Sequence, residues 1–310
     1  MKKITLLLLC GLVSSAYADE GGVSFWLPGQ FGSLAAAPLE KGWSLPLIYY
    51  HTTASADAAK NFPIGGRISA GLQADGNLML AVPTYVFSNP VLGGQAAVDM
   101  AGIFGNVDVS ANAVLTVPRG PVLSRNRNDS MTGFGDLYPS GSLRWNHGNQ
   151  NTMLYGMLGV PTGGYLKNQL ANLGTNHWST DAGAGYTYLN TKNGHELSAV
   201  AGVTYNFINP ATQYQNGVDG HLDWGASQFL SKQFHLGLVG YFYHQLSGDT
   251  GSGARLGPFE SRVIGVGPQA GYLLKMGARH AYLNLKSYWE FDGRNRPEGW
   301  NSWVTVSLPL

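Results

Sequence analysis

The stretch from Thr180 to Phe207 constrains this chain more than any other. Two segments alternate with period two and meet at a tight turn. In the first, Thr180, Ala182, Ala184, Tyr186 and Tyr188 share one face, and Ser179, Asp181, Gly183, Gly185 and Thr187 share the other. Lys192-Asn193-Gly194 follows, and Asn-Gly tolerates the positive φ that a short hairpin needs. In the second, Leu197, Ala199, Ala201, Val203, Tyr205 and Phe207 alternate with Glu196, Ser198, Val200, Gly202, Thr204 and Asn206. Each segment has roughly 10–12 residues, the length of a tilted strand that crosses a bilayer. A soluble sandwich would turn the apolar face inward, whereas a membrane barrel turns it to lipid.

The amino terminus bears on that choice. Lys2-Lys3, the apolar run Ile4 to Val13 and Ala16-Tyr17-Ala18 read as a cleaved export signal, with the mature chain starting at Asp19. The run is too short to span a membrane, and the large Leu9 before Cys10 argues against a lipoprotein signal. Cys10 is the single cysteine and leaves with the signal, so no disulfide framework is expected. Of 19 Lys and Arg, removal of Lys2 and Lys3 leaves 17 against 18 Asp and Glu. With no basic excess, nucleic acid is not an expected partner. Charged residues make up only 12% of the chain, about half the soluble average. No apolar run after residue 18 is long enough for a transmembrane helix. The expectation is an all-β, transmembrane antiparallel β-barrel in the bacterial outer membrane, facing lipid and lipopolysaccharide, inserted by the barrel-assembly machinery, and monomeric.

Three parts are expected: a signal peptide over 1–18, an N-terminal segment over 19–42 and a barrel over 43–310. Glu20 to Gly32 is Gly-rich and aromatic, and Pro28 and Pro38 argue against a regular strand. We read this segment as a plug tucked into the lumen, the alternative being a periplasmic tail. Strands are predicted at 43–51, 65–74, 77–87, 94–104, 107–117, 134–146, 151–161, 179–190, 195–206, 219–231, 234–247, 261–274, 280–291 and 301–310. That makes fourteen, and twelve or sixteen also fit. Short turns alternate with longer connections from residue 118 onward, as expected for periplasmic turns and outer loops. The ending Leu308-Pro309-Leu310 departs from the aromatic last residue expected of many such barrels.

Several motifs resemble one family. Glu20-Gly21-Gly22 to Leu27-Pro28-Gly29, Phe31-Gly32, Ala35-Ala36-Ala37-Pro38 and Gly93-Gly94 carry the likeness, as do Asn106-Val107-Asp108-Val109, Gly133-Phe134-Gly135-Asp136-Leu137-Tyr138 and Val160-Pro161-Thr162-Gly163. Together they resemble the meta-pathway of phenol degradation family across essentially the whole mature chain. The resemblance implies an outer-membrane channel associated with aromatic-compound degradation. It is similar in outline to fatty-acid-type hydrophobic channels, which have fourteen strands and an N-terminal plug. It implies no catalytic set and no cofactor.

Two groups of residues are candidates for function. Asp99, Asp108, Asp136, Arg144, Asp181, Glu196, Asp219, Asp223, Lys286 and Glu290 fall on predicted lumenal faces. They would form a polar constriction or a structural network of paired charges. Asp136, between glycines that leave room for another backbone, would hold the N-terminal segment or brace a loop. Phe25, Trp26, Leu27 and Phe31, with Tyr138, Tyr155 and Met157, would line an apolar pocket or seat the plug. Arg119, Arg125 and Arg127 are placed on an outer loop facing lipopolysaccharide phosphates or solvent. Pro139, Pro161 and Pro268 are candidates to interrupt the wall. No G-x-S-x-G or H-E-x-x-H occurs, and His244 and Ser247 would point to opposite faces. His221, Asp219 and Asp223 share one strand face and read as a paired network rather than a metal site. The expected function is passive uptake of small hydrophobic or aromatic compounds. A structural or adhesive barrel, an outer-membrane enzyme and a soluble secreted sandwich are the alternatives.

Overall fold

The computed structural model describes residues 24–61, 67–116, 122–255 and 257–310; the expected signal peptide lies outside them. Those residues form one antiparallel sheet: β1 (Gly42–Asn61), β2 (Arg67–Ala81), β3 (Thr84–Val86), β4 (Gln95–Thr116), β5 (Val122–His147), β6 (Gln150–Gly159), β7 (Ser179–Asn190), β8 (His195–Asn206), β9 (Asp219–Phe229), β10 (Phe234–Gln245), β11 (Arg262–Met276), β12 (Arg279–Arg294) and β13 (Glu298–Pro309). Each strand pairs with its neighbour, and β13 closes on β1 from Ser44↔Pro309 to Ser55↔Glu298. Among the described residues no strand edge is left open along the closing seam, and the architecture is a closed barrel.

The barrel has twelve staves rather than fourteen. The three-residue β3 continues β2 beyond Pro83. Leu47↔Ala81 and Ser44↔Thr84 hold one register against β1, and Gly102↔Ala81 and Asp99↔Thr84 hold one register against β4. Two predicted turns are strand interior. Asp75-Gly76 and Gly105-Asn106 lie opposite each other in the β2–β4 ladder, Gly76 facing Val107 and Asn77 facing Asn106. Gly105 lies extended, and a Cβ there would run into the Asn77 carbonyl oxygen and come within 2.9 Å of the Leu78 Cα. Close backbone approach, not a turn, requires that glycine. Much of the predicted loops at 52–64 and 118–133 is likewise strand, since β1 reaches Asn61 and β5 begins at Val122. From β6 onward the elements fall within a few residues of the predicted positions.

The faces follow the lipid-outward expectation on most of the wall. Leu236, Leu238, Leu283, Leu285 and Trp289 are exposed, and Val239, Tyr241, Lys286 and Tyr288 between them are buried. On β1 the outward residues run Trp43, Leu45, Leu47, Tyr49, and then turn polar with His51, Thr53 and Ser55. Trp43 to Tyr49 spans about 20 Å of strand. Trp43 and Tyr85 rings meet at one rim (5.0 Å), and His51 and Trp300 rings at the other (4.8 Å). An apolar band between aromatic girdles is the signature of a membrane barrel.

Candidate functional site

The residues after Val23 enter the barrel and meet inward side chains of β7 to β12. Pro28 and Pro38 keep the segment from joining the sheet, so its backbone groups need side-chain partners. The Asp223 carboxylate on β9 accepts the Gly29 N–H (3.1 Å) and the Phe31 N–H (3.0 Å). Lys286 Nζ on β12 donates to the carbonyls of Gly29 (2.6 Å), Gln30 (3.1 Å) and Phe31 (3.3 Å). Tyr288 O–H also reaches Gly29 O (3.2 Å). Gly29 has φ +84°, and a Cβ there would come within 2.8 Å of the Tyr288 ring, so shape and dihedral both call for glycine. Further along, Glu196 on β8 accepts Leu34 N–H (2.8 Å) and Ser33 Oγ–H (2.5 Å). Thr187 Oγ1 accepts Ala36 N–H (3.0 Å), and Gln269 Nε2 donates to Ser33 Oγ (2.5 Å). At the rim Gln95 exchanges two bonds with the Leu39 backbone, and Glu40 pairs with His280 (2.9 Å).

The seven predicted pocket residues come together. Phe25, Trp26 and Met157 are buried in one cluster, with Leu27, Phe31, Tyr138 and Tyr155 packed against it. Trp26 stacks on the His221 imidazole (centroids 3.6 Å apart, 15° between planes), and Phe31 and Tyr155 flank it at 5.8 and 6.2 Å. Phe25 meets Tyr138 at 5.5 Å. His221 Nε2 lies 3.0 Å from Asp181 Oδ2, which also accepts Thr204 Oγ1–H (2.6 Å). The nearest partner of His221 is thus on β7, two strands along the wall, with Tyr155 O–H on β6 at 3.4 Å, and not Asp219 or Asp223 on its own strand.

Eight of the ten predicted lumenal charges face inward: Asp99, Arg144, Asp181, Glu196, Asp219, Asp223, Lys286 and Glu290. Asp99 accepts Ser140 Oγ–H (2.7 Å), Asp219 accepts Asn206 Nδ2–H (2.8 Å), and Glu290 accepts Tyr241 O–H (2.6 Å). Arg144 donates to Ser142 Oγ (2.5 Å). One departs from expectation. Asp108 is exposed on the outer face, between Asp75 and Ser130, because the sheet there has an aqueous exterior. Asp136 is buried and takes the second of its two expected roles, bracing loop 160–178 by accepting Gly163 N–H, Thr175 N–H and Thr175 Oγ1–H at 2.8 Å each. Arg125 and Arg127 lie on β5, not in a loop, and Arg127 pairs with Asp129 (2.6 Å); Arg119 lies outside the described residues. Thr187, Tyr241 and Tyr288 were not singled out from sequence, although each sits at an inward position of its strand.

The β5–β6 ladder thins beside Phe25. The β5–β6 ladder runs from His147↔Gln150 to Ser140↔Met157 and ends at Pro139, which has no N–H. Beyond it the Leu137↔Val160 bridge keeps the same register, and past Pro161 the Gly164 N–H still donates to Phe134 O (2.9 Å). On the other side of β5 the register shifts between Gly102 and Phe104, setting Gly135 and Asp136 as a bulge. Phe25 packs on Gly159 at this point, where a Cβ would come within 2.7 Å of its ring. Pro268 interrupts its ladder in the same way, two pairs being absent between Val266↔Trp289 and Gln269↔Lys286 with the register kept, but there β11 and β12 pair on well beyond it.

Residues 58–306 match the family model described as MetA-pathway of phenol degradation. The fold aligns with the crystal structure of the COG4313 outer membrane channel from Pseudomonas putida F1 at 15% identity and a TM-score of 0.67, covering 91% of this chain and 99% of that one. OccK10 (OpdN) from Pseudomonas aeruginosa aligns over 87% of this chain and 98% of its own, at 9% identity and a TM-score of 0.31, too loose to bear on the fold. No curated protein matches the chain.

Proposed function

From its place in the MetA-pathway of phenol degradation family, to which this chain belongs, and from the segment and wall just described, we propose a passive outer-membrane channel for small hydrophobic, including aromatic, solutes. The observation that carries this reading is the position of the aromatic cluster. Phe25, Trp26, Phe31, Tyr138, Tyr155 and Met157 gather where the β5–β6 ladder stops at Pro139. A hydrophobic solute that reaches this cluster from outside has an apolar resting place beside the sparsely bonded end of the β5–β6 ladder, where the wall would part. It can leave sideways into the bilayer without crossing the polar network around Asp223 and Lys286. The N-terminal segment lies on that route and serves as its plug. The chain would be exported by cleavage after Ala18, inserted by the barrel-assembly machinery and surrounded by lipid and lipopolysaccharide as a monomer.

The test is permeation into liposomes holding the folded protein, comparing a small aromatic with a sugar of similar size. We expect selective passage of the aromatic, and a changed rate when residues 19–41 are removed. Equal passage of both would make the protein a general porin. Passage of neither, with or without the segment, would overturn the channel reading in favour of a structural barrel.

A further inference from the structure

The N-terminal segment is held in two different ways. Residues 29 to 36 are fixed by hydrogen bonds to Asp223, Lys286, Tyr288, Glu196, Thr187 and Gln269. Residues 24 to 28 make no hydrogen bond to the barrel among the described residues. Their one side-chain bond is internal, from Ser24 Oγ to Trp26 O (2.8 Å). Ring contacts alone hold them, and the tightest is Trp26 lying flat on His221. The indole Nε1–H of Trp26 is buried without a partner, although a buried donor ordinarily finds one. His221 Nδ1 and Asp181 Oδ1 in the same cluster are also buried without partners. The barrel therefore presents an aromatic face that Trp26 covers with its ring but does not satisfy with its N–H.

We propose that the His221 imidazole face, bordered by Tyr155 and Phe31, is the binding site for a flat, neutral aromatic solute, and that Trp26 occupies it as a stand-in which the solute displaces. This rests on the channel reading and assigns it a solute class and a place. A free planar ring can take the same stacked position and turn any N–H it carries toward an acceptor such as the unpartnered Asp181 Oδ1, which the chain denies to Trp26. A ring carrying a carboxylate is disfavoured, because Asp181 is bonded to His221 itself and Asp223 stands two residues along the same strand, holding the adjoining Gly29. Displacement is local: Pro28 and Gly29 mark the boundary, and the clasp on residues 29 to 36 stays closed. Because Phe25 is the adjacent residue, release of Trp26 also loosens the ring that packs on Gly159 at the end of the β5–β6 ladder.

The experiment is fluorine NMR of the full mature chain, labelled with 5-fluorotryptophan and folded in lipid nanodiscs. The chain has eight tryptophans, and Trp26→Phe assigns the resonance of interest. Indole, indole-3-carboxylate and cyclohexanol are the probes. We expect indole to shift the Trp26 resonance saturably, with the other seven unmoved, and the anion and the non-planar alcohol to leave it in place. His221→Leu should weaken the indole response at least fivefold. As a second variant, Trp26→Leu removes the competitor and, read from the resonance of added 5-fluoroindole against the unlabelled chain, should tighten binding about tenfold. A Trp26 resonance that stays fixed while aromatics permeate liposomes would overturn the site and leave the channel reading intact. A response to cyclohexanol equal to that to indole, or unchanged indole affinity in Trp26→Leu, would also overturn it. A saturable Trp26 response without permeation would support the site and sink the channel reading.

Discussion

The two sides of the barrel obey opposite rules for the same alternation. On β6 to β13 each strand spans about one membrane thickness, its outer face is apolar, and its inner face carries the charges. On β1, β2, β4 and β5 the strands run to 15–26 residues. Their outer faces change character at a single row, while the inner faces of β1, β2 and β4 stay apolar on both sides of it, with Tyr50, Leu80 and Ile103 on the lipid side. Tyr49, Met79, Phe104 and Phe134 are register partners on the outer face, and the next outward row is His51, Asn77, Asn106 and Thr132. That second row is tied by polar bonds, His51–Asn77 (2.9 Å) and Asn106–Thr132 (3.0 Å). Above it the outside is Ser55, Gln73, Asp108 and Ser110, and the buried inner positions are Val109, Ala111 and Ala113. A sheet that leaves lipid for water must bury its apolar side inward. The lesson is that period two marks a strand, and the medium on each side decides which face is polar.

The comparison can be broken most forcibly from inside. Lys286→Met removes the cation that holds three carbonyls of the N-terminal segment and whose charge acts through space on buried Asp223. The expected loss is about 3–5 kcal/mol, with the segment becoming open to protease. Arg127→Met, inside the long-strand side but partly exposed beside Asp129, should cost no more than about 1 kcal/mol. Denaturant unfolding followed by tryptophan fluorescence measures both. Similar losses for the two would mean that both interiors are equally dependent on charge.

The outer faces come next. Leu285→Arg places a charge on the lipid-facing side of β12 and should destabilise the barrel by about 2–4 kcal/mol. Ser110→Arg occupies the outward face of β4 above the polar row and should change stability by less than about 0.5 kcal/mol. Refolding into bilayers of defined thickness resolves the difference. If Ser110→Arg is as harmful as Leu285→Arg, the long strands lie in lipid and the inversion is wrong.

These contrasts explain what could be read in advance. Beyond β5, tight turns such as Asn193-Gly194 punctuate strands of one membrane thickness, so periodicity and turn chemistry agree. In the first third, Asp75-Gly76 and Gly105-Asn106 carry turn chemistry but lie within long ladders, where β-pairing on both sides overrides local preference. Reading them as turns produced two strands too many. The same error put Asp108 inside, since its face was assigned from a lumen that had already ended. The inward charges, and Tyr155 and Met157 of the aromatic cluster, were legible because strand parity places them, and the cluster's N-terminal half because an aromatic, proline-broken segment has to seek cover inside. Their partners were not: Lys286 meets the backbone of residues 29 to 31, and His221 finds Asp181 on another strand, contacts that only barrel closure creates.

The smallest effects test the misread turn itself. Gly105 and Gly133 face each other across β4 and β5, yet their surroundings differ. Gly105→Ala would push its Cβ against the β2 backbone at Asn77 and Leu78, so the strands must part, at a cost of about 1–3 kcal/mol. Around Gly133 nothing lies within 4 Å of an added Cβ, and its φ is not in the left-handed region. Gly133→Ala should therefore leave the fold untouched and stabilise it by about 0.4–1 kcal/mol through the unfolded chain. Chemical denaturation of the two variants in parallel gives opposite signs if Gly105 is a strand glycine. A turn at Gly105-Asn106, open to solvent, would instead tolerate the alanine, and the two variants would move together.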